Sequence, residues 1–208
     1  FASLRLHQSD PIVTGRNITA SVDDGYLLNR SFRMNYFAVQ ALLARVYLYK
    51  SDMANAVLCA QEVIDSEKFR WLTLDEISAL NAVDRDRTFS PEQVFVLEAI
   101  KMEDNLKSYL QASGISTTNL LSFTTTYIDN LYPVSSDWRK LYLWTEPEVG
   151  KVARYSTKFW QIEGMERMYQ YRLPLIRLPE LYLIVAEALI ESNFDKAIDV
   201  LNEVRLHR

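Results

Sequence analysis

Apolar residues recur three and four positions apart through 36–49, in one row as Phe37, Ala41, Ala44 and Leu48 and in another as Val39, Leu42, Leu43 and Val46. That period predicts a helix that buries a broad face. Lys50, Ser51 and Asp52 break the pattern with polar side chains, and the period resumes over 53–66 through Ala56, Val57, Ala60, Val63 and Ile64. The segment therefore predicts two antiparallel helices joined by a short turn. Ala44, Ala56 and Ala60 are small enough to let the two axes approach closely, while Tyr47 and Met53 fill the rest of the seam. The same pattern returns near the end of the chain. Setting Ala56 against Ala197 places Ala44 against Val185, Tyr47 against Ala188, Ser51 against Ser192, Asp52 against Asn193, Met53 against Phe194, Ala60 against Leu201 and Val63 against Val204. In this second copy Pro179 suits a first helical turn, Glu180 complements the positive end of the helix dipole, and Ser192 with Asn193 opens the turn. Its second helix carries Ala197, Ile198, Leu201 and Val204.

This spacing is that of tetratricopeptide repeats, and it predicts an all-α fold class: tetratricopeptide-like helical hairpins with an irregular, loop-rich aromatic insert. The expected organisation is one partial domain over 1–208, with a first hairpin at 30–68, the insert at 69–171 and a second hairpin at 172–208. Isolated hairpins of this kind bury little unless neighbours stack on them. Residues 1–30 are punctuated by Pro11, Gly15, Asp23, Asp24 and Gly25 and carry only short apolar pieces, so this stretch is expected to wrap onto a frame rather than to fold alone.

The 208 residues are 49% hydrophobic, with a formal net charge of −4 and a sequence pI near 5.3. No clustered Lys and Arg form the basic stripe needed to neutralise phosphates, which argues against a nucleic-acid partner. No apolar run approaches the roughly 18 to 20 residues that cross a bilayer, and 1–10 lacks the charged start and hydrophobic core of a signal peptide. The single cysteine, Cys59, excludes an internal disulfide and sits mid-helix, where a small buried hydrophobe is the expected role. His7 and His207 have no ligand-spaced partners, so neither a metal site nor a cysteine protease is expected, and nothing points to a cofactor. Asp23, Asp24 and Gly25 lack the rest of an EF-hand loop and read as a turn.

Function is expected in the insert. Residues 94–100 form an apolar run, 116–126 are rich in Ser and Thr, and 132–144 read YPVSSDWRKLYLW. Aromatic rings cover the apolar faces of sugars while polar groups bond the hydroxyls. Tyr132, Trp138, Tyr142 and Trp144, interleaved with Asp137, Arg139 and Glu146, offer that chemistry and are the candidate ligand-binding residues. The same aromatics also fit the inward face of a short helix, since Trp138 and Tyr142 lie four apart with Leu141 and Trp144 close by. Asp137 and Arg139 fit an ion pair that holds a loop, Trp71 and Trp160 fit core positions, and Arg154 and Lys158, near Tyr155 and Trp160, could face a ligand but are expected to be solvated. Asp75, Glu76, Asp84, Asp86, Glu146 and Glu148 raise the question of a two-carboxylate glycosidase, but no nucleophile motif or marked acid accompanies them, so no enzyme is expected. A peptide-binding scaffold is a further reading, because stacked hairpins form concave grooves.

Residues 33–69, RMNYFAVQALLARVYLYKSDMANAVLCAQEVIDSEKF, and 171–208, YRLPLIRLPELYLIVAEALIESNFDKAIDVLNEVRLHR, closely resemble the SusD/RagB family of surface lipoproteins of gut-type Bacteroidetes. The resemblance rests on three patterns: Ala41, Ala44, Arg45 and Tyr47 before the turn; the Pro-Leu-Ile-Arg-Leu-Pro-Glu entry at 174–180 with Ala186, Glu187 and Ala188; and the ending Leu201, Asn202, Val204, Arg205 and Arg208. It implies that the chain is a fragment of a precursor about twice as long, whose signal peptide and lipid-modified cysteine lie outside this sequence. It further implies a lipid-anchored protein at the outer face of the outer membrane that does no chemistry on its ligand. Such a protein captures an oligosaccharide or polysaccharide and delivers it to a SusC-like TonB-dependent transporter. Its repeats would pack on the transporter and its aromatic loops would close over the glycan; a peptide ligand is the alternative within the same family.

Overall fold

The computed structural model describes residues 34–110, 121–147 and 152–208. Among these residues eight α-helices and four short strands follow in the order α1 (Tyr36–Tyr49), α2 (Met53–Asp65), α3 (Leu74–Ser78), β1 (Gln93–Glu98), α4 (Met102–Leu110), β2 (Ser122–Thr124), α5 (Thr125–Leu131), α6 (Trp138–Tyr142), β3 (Ala153–Tyr155), β4 (Arg172–Arg177), α7 (Leu178–Leu189) and α8 (Phe194–Leu206). The chain divides into two compact units, one built from its described residues up to 72 with 89–97 and 173–207, the other from 73–88 and 98–172. The expectations for 1–30, including the turn at Asp23 to Gly25 and the isolation of His7, lie outside the described residues.

The first unit is the paired hairpin. Its core joins Phe37, Ala41 and Ala44 of α1, Ala56, Ala60 and Val63 of α2, and Leu181, Ile184 and Val185 of α7, with Phe69, Val94 and Ile176 filling in. Ala41, Ala44, Ala56 and Ala60 are fully buried, as the close-approach pattern requires. The second apolar row of α1 behaves differently: Val39 and Leu43 are half-buried, and Leu42 and Val46 are exposed. On α8 only Ala197 is buried, with Ile198 and Leu201 facing out. These helices bury one narrow stripe, and the broad face expected from the period is only partly covered.

Both hairpin turns end in a side-chain cap on the following helix. Asn35 caps α1, its Oδ1 accepting from the Ala38 N–H at 2.8 Å. Ser51, in the left-handed region at φ 60°, lets the Asp52 N–H reach back to the Tyr47 carbonyl at 2.9 Å. Asp52 then caps α2 by accepting from the Asn55 N–H at 3.3 Å. In the second copy the Asn193 N–H donates to the Leu189 carbonyl at 2.7 Å, and Asn193 Oδ1 accepts from the Lys196 N–H at 3.2 Å. The aligned positions 52 and 193 are both N-caps, which satisfy backbone donors that a helix start leaves open.

Aromatic packing completes this unit. The Trp71 ring is half-buried between Tyr182, at 5.0 Å between centroids, and His207, stacked at 4.6 Å. Cys59 is half-buried on α2, and burial together with Glu62 and Asp52 pushes its thiol above the ordinary value. That direction keeps it protonated and unreactive. The apolar run expected at 94–100 contributes to β1, which pairs with β4 in a two-stranded sheet.

The second unit carries the insert, and it is more regular than its sequence predicts. A capping box starts α3, with Thr73 and Glu76 satisfying each other's backbone N–H groups. Ile77, Met102, Ile128, Leu143, Met165 and Tyr169 are its buried apolar residues. Trp160 is half-buried, its indole N–H donating to the Leu110 carbonyl at 3.2 Å. Arg87 is almost fully buried; it donates to the Ala82 carbonyl at 3.2 Å, and burial pulls its pKa down. No helix among the described residues is long and apolar enough to cross a membrane.

Candidate functional site

The second unit places its exposed aromatics around a small antiparallel sheet. β2 pairs with β3 in the register Ser122 to Tyr155, Phe123 to Arg154 and Thr124 to Ala153. One residue past β3, Ser156 bridges to Trp144. Hydrogen bonds from the Thr145 N–H to the Tyr155 carbonyl and from the Thr157 N–H to the Leu143 carbonyl, both 2.9 Å, hold that third segment. Side chains alternate along a strand, so Arg154 and Ser156 leave on one face together with their cross-strand partners Phe123 and Trp144. The ring contact agrees: Phe123 and Trp144 meet edge to face at 5.5 Å and 89°.

Thr124 ends β2 and starts α5, its hydroxyl accepting from the Tyr127 N–H at 3.2 Å. This tight junction turns the chain so that Tyr127 stacks on Phe123, with centroids 5.0 Å apart and rings 19° from parallel. The two rings remain 41% and 51% exposed, which leaves an aromatic surface open to a ligand. Trp144 is the half-buried wall against it.

Arg154 supplies charge on the same face. Its side chain is only 14% exposed and its Nη2 donates at 3.3 Å to Glu146, whose own side chain is 81% exposed. The Arg154 Nε and the Trp144 Nε1 are both buried and have no hydrogen-bond partner among the described residues. Buried donors without acceptors are uncommon, and a water or an ion is among the partners that satisfy them.

The four aromatics expected to bind ligand are not brought into one array, and no ring contact joins any two of them. Tyr132, at the end of α5, lies under the Arg139 guanidinium at 5.0 Å. Trp138 starts α6 and Tyr142 ends it, both half-buried. Trp144 lies beyond that helix, in the sheet. Phe123 and Tyr127 are not among the aromatics that the sequence pattern singles out; their signal is a pair of aromatics four apart within and just after the Ser/Thr-rich stretch 116–126.

Asp137 and Arg139 form a local ion pair that holds the start of α6. Asp137 Oδ1 accepts from the Arg139 N–H at 2.9 Å and from Nε at 3.0 Å, and Oδ2 accepts from Nη2 at 2.6 Å. Burial pushes the Asp137 carboxyl up, but the bonds from Arg139 outweigh it and hold the carboxyl below its usual value. The bond to Asp137 raises Arg139 in turn. Three other carboxylates of the insert serve local structure: Glu76 closes its capping box, Asp84 accepts from Asn81 Nδ2 at 3.2 Å, and Asp86 accepts from the N–H and hydroxyl of Thr88, both at 3.0 Å. Glu148 lies outside the described residues. Among the described residues no group of three His, Cys, Asp or Glu is placed to hold a metal ion.

Residues 113–206 match the model of the SusD family. No curated protein matches the chain. Among solved structures it is similar to a SusD superfamily protein from Bacteroides thetaiotaomicron VPI-5482, at 24% identity and a TM-score of 0.63 over 84% of this chain and 41% of that one. It is also similar to a SusD-like carbohydrate binding protein from Bacteroides vulgatus ATCC 8482, at 19% identity and a TM-score of 0.61, covering 90% and 40% of the two chains. A SusD superfamily protein from Parabacteroides distasonis ATCC 8503 matches at 19% identity and a TM-score of 0.59, covering 86% and 45%. At these identities the likeness is one of fold, and the chain spans less than half the length of each of these structures. The family match includes 171–206 of the second block that carries the resemblance, while the block 33–69 lies outside it.

Proposed function

We propose that this chain is part of a non-catalytic binding protein that captures oligosaccharide or polysaccharide at the outer face of the outer membrane and passes it to a SusC-like TonB-dependent transporter. The observation that carries the reading is the exposed stack of Phe123 on Tyr127, walled by Trp144 and flanked by Arg154. A pyranose ring has flat faces of C–H groups that lie against such rings, while charged and amide groups at the rim bond its hydroxyls. The SusD-like carbohydrate binding relative supports the same ligand class. The hairpin unit is the rigid support, and its exposed helical faces are the transporter-facing surface in this reading.

Of the four aromatics that the sequence pattern nominates, Trp144 is the one the platform contains. Tyr132 offers a ligand only the ring face that Arg139 leaves open. Trp138 and Tyr142 remain candidate contacts at the rim through α6.

Tryptophan fluorescence titrations with starch, fructan, xylan and host glycans test the proposal. The expected result is saturable quenching by at least one polysaccharide that Phe123→Ala weakens about tenfold, equivalent to about 1.4 kcal/mol. Binding of peptides with no response to any polysaccharide would replace the glycan by the peptide ligand.

A further inference from the structure

The sheet face that carries the aromatics also carries two buried donors without an acceptor among the described residues. The Arg154 Nε and the Trp144 Nε1 lie among buried atoms without a hydrogen-bond acceptor among the described residues. The strand register sets both residues on one face, Arg154 opposite Phe123 and Trp144 opposite Ser156. Two side chains in contact with these residues are open to solvent. Glu146 touches Arg154 through a single 3.3 Å bond while its side chain is 81% exposed, and Phe123, edge-on to Trp144, is 41% exposed. Rotamer changes of such exposed side chains take picoseconds to nanoseconds, so neither contact is a fixed barrier to an entering ligand.

From this arrangement we infer that the face selects an acidic saccharide, whose carboxylate displaces Glu146 and takes the Nε–H and Nη2–H edge of Arg154 while Trp144 donates its indole N–H. The inference rests on the saccharide-binding reading of the same platform. The chemistry follows from the donors. A guanidinium edge presents two parallel N–H groups that match the two oxygens of a planar carboxylate, and Glu146 already uses one of them in the manner of a stand-in. A neutral sugar offers hydroxyls, which leave the buried cation without a counter-charge when Glu146 is pushed aside. The chain's net charge of −4 gives no general attraction for polyanions, so affinity for one must come from a local site.

The test compares polygalacturonate with the same polymer after chemical reduction of its carboxyl groups, by titration calorimetry on the wild-type protein. The expected result is at least tenfold tighter binding of the acidic polymer. Trp144→Phe, which keeps the ring and removes the N–H, and Arg154→Gln are each expected to weaken it at least tenfold with unchanged circular dichroism. Glu146→Gln, which removes the competing carboxylate, is expected to strengthen it, a change that a purely structural role for Glu146 would not produce. Equal affinity for the acidic and reduced polymers overturns the acidic selectivity and leaves the saccharide reading standing. Binding of neither, nor of any other polysaccharide, overturns both. Equal binding of dextran sulfate overturns the carboxylate assignment in favour of any anion.

Discussion

Arg45 grips Glu180 through two parallel hydrogen bonds, Nε to Oε1 at 2.6 Å and Nη2 to Oε2 at 2.9 Å. Nη2 also donates to the Leu175 carbonyl at 3.1 Å. The two residues are 135 apart in the chain and belong to the two separate blocks that carry the family resemblance. The bond ties the middle of α1 to the first turn of α7, so the two hairpins are joined by a specific polar contact as well as by the apolar core that Leu181, Ile184 and Val185 share with α1 and α2.

The pair is partly exposed, 45% and 33% for the two side chains, so its contribution is screened by water. A double-mutant cycle with Arg45→Ala and Glu180→Ala, read by urea unfolding, is expected to give a coupling of about 0.5 to 1 kcal/mol. A coupling indistinguishable from zero would reduce the contact to an accident of packing.

The seam between α1 and α2 is where size matters most. Ala44, Ala56 and Ala60 have no exposed surface, and Ala60→Leu is expected to cost about 1 to 3 kcal/mol by overpacking. Ile198→Ala, on the exposed side of α8, is expected to change stability by less than about 0.5 kcal/mol. Comparable losses in thermal melts of the two variants would show that the outward face of α8 is packed.

Asp137 sets an acid limit on the α6 region. Its folded carboxyl lies below the ordinary value, so the stability it adds is fully present above the unfolded value of about 3.9 and is lost as pH falls through the lower folded one. Stability is therefore expected to decline below about pH 4, and Asp137→Asn is expected to flatten that part of the profile while lowering stability at neutral pH. Denaturant midpoints between pH 2 and 7 that overlay for the two proteins would contradict this.

The roles of the aromatics are separable. Phe123→Ala removes an exposed ring and is expected to weaken saccharide binding with a melting temperature near that of the wild type. Trp138→Ala, at the half-buried start of α6, is expected to lower the melting temperature and change affinity less. The reverse pattern, read by melting and titration together, would move the ligand from the β2 and β3 face to α6.

The sequence by itself determined the helical frame. The 3.6-residue period, the alanines at close-approach positions and the caps at Asp52 and Asn193 are decided by neighbours three or four residues away, so helix bounds such as Tyr36–Tyr49 follow from the local pattern alone. Tertiary structure decided how much of each helix is covered, and for this reason Leu42 and Ile198 follow the apolar period but face out. It also decided the candidate site. β2 and β3 are three residues each, too short to show alternation, and their pairing brings Phe123 to Arg154 across 31 positions of chain. Trp144 fits the next position of a helical face, yet its partner is Ser156 in the sheet. Contacts between segments far apart depend on which strands meet and in what register, and no local pattern of hydrophobic and polar residues encodes that choice.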